Sequence, residues 1–234
     1  MNNLFTELEN KNKQIPLAEI LRPKSFEEYF GQYKIIEKNS PLYNLLNSGR
    51  LFSLILWGPS GCGKTTLARI ISNTVNANFI EISAVTSGVK DIKDAVESAK
   101  DALRNNQKTI LFIDEIHRYS KTQQDALLPH LENGTLFLIG STTENPSFQV
   151  IPALLSRLQV IRLENLDDIS IKKVIEKGFN YLSKNYQPVE YSEEITDFII
   201  NLSRGDARFA LNLVENAYFS SSYKKNKRII ELST

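Results

Sequence analysis

The stretch WGPSGCGKTT at residues 57–66 follows an apolar run and precedes a segment whose apolar residues recur with helical spacing. It fits the pattern G-x-x-x-x-G-K-[ST], a glycine-rich loop whose backbone N–H groups surround a phosphate. The motif requires a strand before the loop and a helix after it, and this context argues against a turn with a solvated lysine. We therefore predict a nucleotide-binding loop of Gly58, Pro59, Ser60, Gly61, Cys62, Gly63, Lys64, Thr65 and Thr66.

Three side chains of this loop carry separate predictions. Lys64 is expected to reach the β- and γ-phosphates of the nucleotide, and the Thr65 hydroxyl is expected to bind Mg²⁺. Cys62 occupies a free position of the motif. It is either a packing residue or an unusually acidic thiol, since a helix N-terminus and a nearby lysine both favour the thiolate.

The sequence TILFIDEIHR at residues 109–118 predicts the second half of the site. An apolar strand delivers Asp114 to the same edge as the phosphate loop, where its carboxylate can hold the magnesium. Glu115 follows directly and is the predicted base that orients an attacking water. The alternative is a strand that ends in solvated acids, which a chain with a phosphate loop disfavours. His117 and Arg118 are interpreted as structural or intersubunit residues.

Five β-like runs alternate with helical patterns and predict a doubly wound α/β domain over residues 17–164. Several of the runs are nearly continuous apolar, as expected for a parallel sheet covered on both faces. The predicted strands are 53–58, 78–83, 109–114, 135–142 and 159–164. The predicted helices are 64–76, 89–105, 120–133 and 152–157; Pro129 implies a kink or early stop in the third, and Gly134 is placed to end it.

After residue 164 the pattern changes to helices alone, at 167–184, 192–203 and 206–220. We interpret residues 165–222 as a small all-helical domain attached to the α/β core. Residues 1–16 are predicted to be a polar leader. Residues 223–234 form a basic tail that ends abruptly, which suggests a longer natural protein or a fragment of one.

The composition excludes several classes of function. The net charge of +1 gives no global signal for nucleic acid, so any such contact must come from a local patch. The single cysteine excludes an intrachain disulfide and fits a reducing cytoplasm. Two histidines and one cysteine disfavour a structural zinc site. No run approaches ~20 apolar residues, so we predict neither export nor a membrane span.

Taken together, the motifs resemble those of the AAA+ ATPases over residues 17–222. The phosphate loop, FIDEIH, GSTTENPSF, ALLSR and RGDARFALN occur in that family's order and approximate spacing. Within the superfamily the chain looks most like the bacterial replication-associated recombination proteins, relatives of clamp loaders and of the Holliday-junction motor. LRPKSFEEYFGQ, SGVKDIK, QQDALLPHLENG and STTENPSFQVIPALLSR carry that closer match. The resemblance implies a P-loop ATPase with a five-stranded parallel sheet and a helical lid, acting in the bacterial cytoplasm at the nucleoid.

The resemblance also implies roles for four polar residues. Thr142 or Thr143 matches sensor 1, with Thr143 favoured; two ordinary strand threonines are the alternative. Arg157 matches the arginine finger, which acts on the ATP of a neighbouring subunit. Arg208 matches sensor 2, which reaches the γ-phosphate from the lid. For both arginines the alternative is a solvated surface charge.

The nucleobase site is implied by the same resemblance. The segment LRPKSFEEYFGQ is similar to the one that wraps the adenine in this family. Core packing is the rival interpretation for Tyr29 and Phe30. ATP is favoured over GTP because the guanine-reading pattern [NT]-K-x-D is absent from the sequence, and Mg²⁺ is the expected metal. The predicted adenine wall consists of Leu21, Arg22, Tyr29, Phe30 and Gly31.

DNA and further copies of the chain are the expected partners. The loop after the second strand, SAVTSGVKD, lacks the aromatic residue with which unfoldases grip a polypeptide. We therefore expect contact with nucleic-acid phosphates, with an ordinary loop and helix start as the alternative. The other functions kept open are a clamp-loader-type subunit, an ATP-gated scaffold with little turnover and, least favoured, a small-molecule kinase. The candidate DNA contacts are Thr86, Ser87, Lys90, Lys93, Lys224, Lys225, Lys227 and Arg228.

Overall fold

The computed structural model describes residues 15–38, 40–224 and 226–231, with the side chains of Asn47 and Lys224 outside the description. These residues form two compact units, one of residues 23–167 and one of residues 15–22 together with 168–231. Residues 1–14 of the predicted leader and Lys225 of the predicted tail lie outside the described residues.

The first unit is built on a five-stranded sheet whose pairs are all parallel. The strand order is β2-β3-β4-β1-β5, so β1, β4 and β3 lie side by side. Because parallel strands end at the same edge, the loops that follow these three strands meet there. The strands are β1 Leu54–Trp57, β2 Asn78–Ser83, β3 Thr109–Asp114, β4 Phe137–Thr142 and β5 Gln159–Arg162.

Helices connect the strands of this sheet, as crossover connections between parallel strands require. Two short helices precede β1, and a 3₁₀ turn at Ile116–Arg118 follows β3. The helices are α2 Tyr33–Ile36, α3 Pro41–Asn47, α4 Lys64–Thr74, α5 Val89–Arg104, α6 Lys121–Asp125, α7 Leu128–Glu132, α8 Pro146–Gln149 and α9 Pro152–Leu155.

The α/β fold expected from the sequence is confirmed. Strands β2 and β3 have the predicted bounds, and the other three are each shorter by two residues. The predicted helix at 120–133 is two helices, with Pro129 in the first turn of α7 and Gly134 at φ +70° just after it. The strands agree with the prediction because the central ones are buried in the core. All of the following strand residues are at most 1% exposed: 54–56, 110–113, 138 and 139.

The second unit combines four helices with a small mixed sheet of order β6-β8-β7. The prediction of helices alone was therefore wrong. The three strands are only three or four residues long, and β6 pairs with β8 from about 40 residues away, which local periodicity does not detect. The elements are α1 Leu17–Ile20, α10 Asp168–Asn185, α11 Glu193–Ser203, α12 Ala207–Ser220, β6 Val189–Tyr191, β7 Ser222–Lys224 and β8 Lys227–Ile230.

Residues 17–22, which the sequence places with the α/β core, belong to this second unit. The side chain of Leu17 is buried and lies beside Gly178 of α10. Its backbone N–H donates to the Glu215 carboxylate of α12 at 3.2 Å. In neither unit is any described helix both long enough and apolar enough to cross a membrane.

Candidate functional site

The phosphate loop begins where β1 ends, and two of its glycines are required by their surroundings. A Cβ on Gly58 would lie 2.5 Å from the carbonyl oxygen of Leu163. Gly63 has φ +102°, and a Cβ there would lie 2.4 Å from the Tyr29 hydroxyl oxygen. Helix α4 starts at Lys64, directly after Gly63. Since the first N–H groups of a helix have no intrahelical partner, the loop presents donors suited to an anion.

Lys64 carries the side-chain cation of this loop. Its Nζ donates to the carbonyl oxygens of Gly58 and Pro59, each at 2.8 Å, and the residue is buried. The ammonium is thus held inside the curl of the backbone. The hydroxyl of Thr65 belongs to the first turn of α4, where the residue is half-buried.

Two other predicted loop contacts are buried as well. Cys62 is 1% exposed, which favours the packing role over that of a reactive thiol. Thr66 is also buried, whereas Pro59 and Ser60 at the mouth of the loop are exposed.

Tyr29 lies beneath the phosphate loop. Its hydroxyl is placed to donate to the carbonyl oxygens of Gly63 at 3.2 Å and Cys62 at 3.4 Å. The residue is 5% exposed, and burial raises the pKa of its hydroxyl far above 10.0. This geometry supports the core-packing alternative for Tyr29 over the adenine wall. Phe30 is half-buried and Gly31, at φ +76°, is buried.

The neighbouring Gln32, which the sequence analysis missed, fixes this segment to the end of β5. Its amide donates to the Glu164 carbonyl oxygen at 2.6 Å and accepts from the Glu164 N–H at 3.2 Å.

Asp114 and Glu115 follow one another at the end of β3 but are held differently. The Ser141 hydroxyl of β4 donates to the Asp114 carboxylate and accepts the backbone N–H of Glu115 at 3.2 Å. Glu115 adopts a left-handed conformation with φ +54°, a strain typical of functional sites. Ser141 is fully buried and was also missed by the sequence analysis. It holds the carboxylate of Asp114 and the backbone of Glu115 at once.

The Glu115 carboxylate contacts two further side chains. Its Oε2 lies 3.2 Å from Nδ1 of His117 and accepts from the Thr143 hydroxyl at 3.5 Å. His117 is nearly buried, and its other ring nitrogen, Nε2, lies 3.4 Å from Glu144 Oε1. The His117 ring thus lies between two carboxylates, those of Glu115 and Glu144. Arg118 points to solvent.

The two sensor 1 candidates differ in position. Thr142 is fully buried, and its hydroxyl is satisfied by His117 Nδ1 at 3.0 Å and by the backbone N–H and C=O of Glu144. Thr143 is exposed and is the one of the pair that contacts Glu115. This placement supports the preference for Thr143.

Comparison with known proteins is consistent with a nucleotide-binding loop in the α/β unit. Residues 54–166 match the family model described as the ATPase family associated with various cellular activities, AAA. The α/β unit has the AAA P-loop NTPase fold. This family implies that the domain binds a nucleotide, and the match runs from β1 through the phosphate loop to just beyond β5.

Two relatives and one solved structure show how far the likeness extends. Replication-associated recombination protein A of Escherichia coli is 44% identical over 217 residues, which cover 92% of this chain and 48% of that protein. Its counterpart in Coxiella burnetii is 46% identical over 208 residues, or 88% and 47% of the two chains. The Holliday junction branch migration motor RuvB of Thermotoga maritima is 28% identical with a TM-score of 0.69, covering 84% of this chain and 65% of that one. The chain spans about half the length of the curated relatives it matches.

Arg157 of the AAA domain lies just after α9, and its guanidinium is ordered. Nη1 donates to the Ala153 carbonyl oxygen at 2.6 Å and to the Ser156 hydroxyl at 3.2 Å. Nη2 forms an ion pair with Glu132 at the end of α7. The side chain remains 38% exposed, so it is accessible from outside the chain.

The remaining predicted nucleotide contacts belong to the second unit. Leu21 is buried there, and Arg22 pairs with Glu19 of α1. Arg208 is exposed in the first turn of α12, which Asp206 caps by accepting the Phe209 N–H at 2.8 Å. The predicted helix start before Arg208 is thus present.

Some of the candidate DNA contacts are exposed, whereas others already bind groups within the chain. Thr86, Lys90 and Lys93 are exposed at the start of α5 and in the loop before it. The Ser87 hydroxyl is bonded to the Ser83 carbonyl oxygen and to the Tyr119 hydroxyl, both at 2.6 Å. Its predicted DNA contact therefore competes with two internal bonds.

The predicted basic tail is a β-hairpin over the residues that the structure describes. Lys227 pairs with Glu190 of β6. Arg228 stacks on the Tyr218 ring and donates to the carbonyl oxygens of Tyr218, Phe219 and Ser221. The predicted DNA contact of Arg228 therefore competes with the aromatic ring and the carbonyl groups that already hold its guanidinium.

Proposed function

We propose that this chain binds ATP at the phosphate loop and hydrolyses it with Glu115 as the base. The observation that carries the proposal is the placement of Glu115 at the carboxyl edge of the sheet, oriented by Ser141, His117 and Thr143. A carboxylate so held can orient a water and accept its proton. A domain that only bound the nucleotide would have no use for this arrangement.

The residues at this edge also fit a magnesium ion. The Thr65 hydroxyl and the Asp114 carboxylate are hard oxygen ligands, and the hydrogen bond from Ser141 fixes one carboxylate oxygen of Asp114. Among the described residues no group of three or more His, Cys, Asp or Glu side chains could hold a metal alone. This suits Mg²⁺, which binds one or two protein oxygens together with nucleotide phosphates. When bound, it would neutralise phosphate charge.

We also propose contacts to the nucleobase and to the γ-phosphate. Phe30 and Gly31, which follow Tyr29 directly, are proposed adenine contacts, as are Leu21 and Arg22. Tyr29 is proposed to support the loop from below instead. Arg208 is proposed as sensor 2 on the grounds of its place at the start of α12.

Arg157 is proposed to complete the site of a neighbouring subunit in a homo-oligomer. Its guanidinium is partly exposed at the end of a short helix, which is the placement that action in trans requires. A supplied arginine can be worth ~10³–10⁵ in rate. The test mixes Lys64→Ala subunits, which keep Arg157, with Arg157→Ala subunits, which keep the phosphate loop. Turnover should reappear in the mixture although each variant alone is inactive, and a silent mixture of assembled subunits would exclude action in trans.

We propose further that turnover is coupled to the remodelling of DNA ends, gaps or stalled forks. The support is the likeness to the replication-associated recombination proteins together with exposed Lys90 and Lys93 beside a polar loop. The test measures phosphate release with no DNA and with single strands, duplex ends, gaps and forks at equal nucleotide concentration. A rise with one or more of these forms is expected. Binding of ATP without turnover on every DNA form would favour the scaffold, and stimulation only with a sliding clamp present would favour the clamp-loader-type subunit.

A further inference from the structure

The ion pair between Glu132 and Arg157 joins two segments that are 25 residues apart. Glu132 ends helix α7, and Arg157 follows α9. The guanidinium of Arg157 thus has three acceptors, one each from Ala153, Ser156 and Glu132. Because a guanidinium has five N–H donors in a rigid fork, donors remain for a phosphate after these contacts are made.

The backbone that carries Arg157 is anchored to the same part of the chain. Buried Gln124 of α6 donates to the carbonyl oxygens of Tyr119 at 3.0 Å and Gln149 at 3.1 Å. Its side-chain oxygen accepts the N–H of Ile151, the N-cap of α9, at 2.9 Å. Gln124 thus fixes where α9 starts, while Glu132 fixes where the arginine at its end points.

We propose that Glu132 is a positioning residue for Arg157, holding its guanidinium in the orientation in which it meets the neighbouring subunit's ATP. This inference rests on the proposed action of Arg157 in trans. A long side chain with several rotatable bonds loses its rotamer freedom when it binds. An arginine that Glu132 already holds has lost that freedom beforehand. It therefore loses less conformational entropy when it contacts the transition state, and more of the free energy of that contact lowers the barrier. An ordinary surface ion pair would have no such effect on catalysis.

The experiment uses the mixture of Lys64→Ala and Arg157→Ala subunits, because it separates the subunit that supplies Arg157 from the one that supplies the phosphate loop. Glu132→Ala is added to one kind of subunit at a time. On the Lys64→Ala subunit it should lower the restored kcat by about fivefold, the scale of a partly exposed ion pair, and leave KM for ATP unchanged. On the Arg157→Ala subunit, where Glu132 has no arginine to hold, it should change nothing.

Two controls keep the result interpretable. Glu81→Gln removes the acid of another partly exposed arginine pair, Arg69–Glu81, and should leave the restored turnover unchanged on either subunit. Glu132→Gln keeps a neutral acceptor in place, so its kcat should fall between those of the parent and Glu132→Ala. Glu132→Gln also replaces Glu132→Ala as the test variant if the alanine variant melts more than about 2 °C below its parent.

Equal loss from either kind of subunit, or no loss from the subunit that supplies Arg157, would overturn the positioning role. A mixture that is inactive even without a change at Glu132 would instead overturn the proposed action of Arg157 in trans. The two failures are therefore distinguishable.

Discussion

Nδ1 of His117 lies 3.2 Å from Oε2 of Glu115, so a nearly buried imidazole touches the proposed base. The Thr142 hydroxyl donates to the Glu144 carbonyl oxygen and therefore offers His117 only a lone pair. Both neighbours of Nδ1 are thus acceptors, and that nitrogen carries the hydrogen. His117 consequently acts as a donor that fixes the direction of the Glu115 carboxylate.

The first prediction tests which of the two ring nitrogens of His117 matters for turnover. His117→Asn retains an amide donor near the position of Nδ1, whereas His117→Gln places its amide near Nε2, facing Glu144. We expect the asparagine variant to keep turnover within a few fold of wild type. The glutamine variant should lose about ten- to a hundredfold, because a misdirected base costs on this scale.

The measurement for His117 is a comparison of kcat with the dissociation constant for ATP. The polar contacts of His117 go to Glu115, Thr142 and Glu144, outside the phosphate loop, so ATP affinity should be unchanged in both variants. The opposite order of the two variants, or equal losses of kcat and affinity, would contradict the role as a donor to Glu115.

The sequence predicts the α/β unit well because its three central strands, β1, β3 and β4, are buried on both faces. Continuous apolar runs such as TILFID are distinctive, and β3 has the predicted bounds. The small sheet of the second unit could not be predicted in this way. VEY and KRII are short and partly exposed; VEY pairs with KRII from far away in the sequence, and KRII also pairs with the preceding strand SYK. Residues 17–22 were assigned to the wrong unit for a similar reason, since the packing of Leu17 is not visible in local spacing.

The residues of the candidate site also differ in whether the sequence alone identifies them. Lys64, Asp114 and Glu115 belong to motifs whose spacing is fixed by chemistry, so the sequence identifies them. Ser141 looks like a small residue in an apolar strand, and Glu132 looks like a solvated helix-end acid. Their roles follow from side chains that approach from 25 to 27 residues away. The polar run after residue 140 was the one signal that could have pointed to Ser141.

A second prediction concerns the fit of Gly63 against Tyr29. Gly63→Ala combines a φ of +102° with a Cβ 2.4 Å from the Tyr29 hydroxyl oxygen. Gly49→Ala is the matched control, since Gly49 has φ +70° and nothing within 4 Å of an added Cβ. We expect the control to lose about 1 kcal/mol of unfolding free energy, from backbone strain. The Gly63 variant should lose at least ~1 kcal/mol more, from overpacking, and should also bind ATP more weakly. Equal losses in urea unfolding would show that the contact with Tyr29 is not tight.

The third prediction separates the lysine of the phosphate loop from its threonine. Lys64→Ala should weaken ATP binding at least about thirtyfold with or without Mg²⁺, because a buried cation that faces phosphates is removed. Thr65→Ala should weaken binding only when Mg²⁺ is present. Fluorescent-nucleotide titrations in magnesium and in a chelator test both statements. A Thr65 variant equally weakened in the two buffers would exclude its hydroxyl as a metal ligand.

The fourth prediction addresses DNA affinity, which we expect to be weak and to depend on phosphate contacts. Binding should fall steeply between low and physiological salt. Lys90→Gln with Lys93→Gln should reduce the salt slope by about one for each DNA phosphate that a lysine no longer neutralises. Lys100→Gln on the same helix is the control, because Lys100 already pairs with Glu97 at 2.7 Å. Salt-independent binding, or a slope unchanged by the double substitution, would remove these lysines from the DNA interface.

The central claim is that Glu115 is the base of an ATPase, and Glu115→Gln tests it most directly. The amide keeps the size and the hydrogen bonds that orient the side chain, but it cannot accept a proton from water. The measurement is ATP turnover together with ATP affinity for wild type, Glu115→Gln and the distant control Glu81→Gln. Our account predicts unchanged affinity in all three and a loss of turnover of at least about a hundredfold in Glu115→Gln alone. Near-wild-type turnover by Glu115→Gln would contradict it.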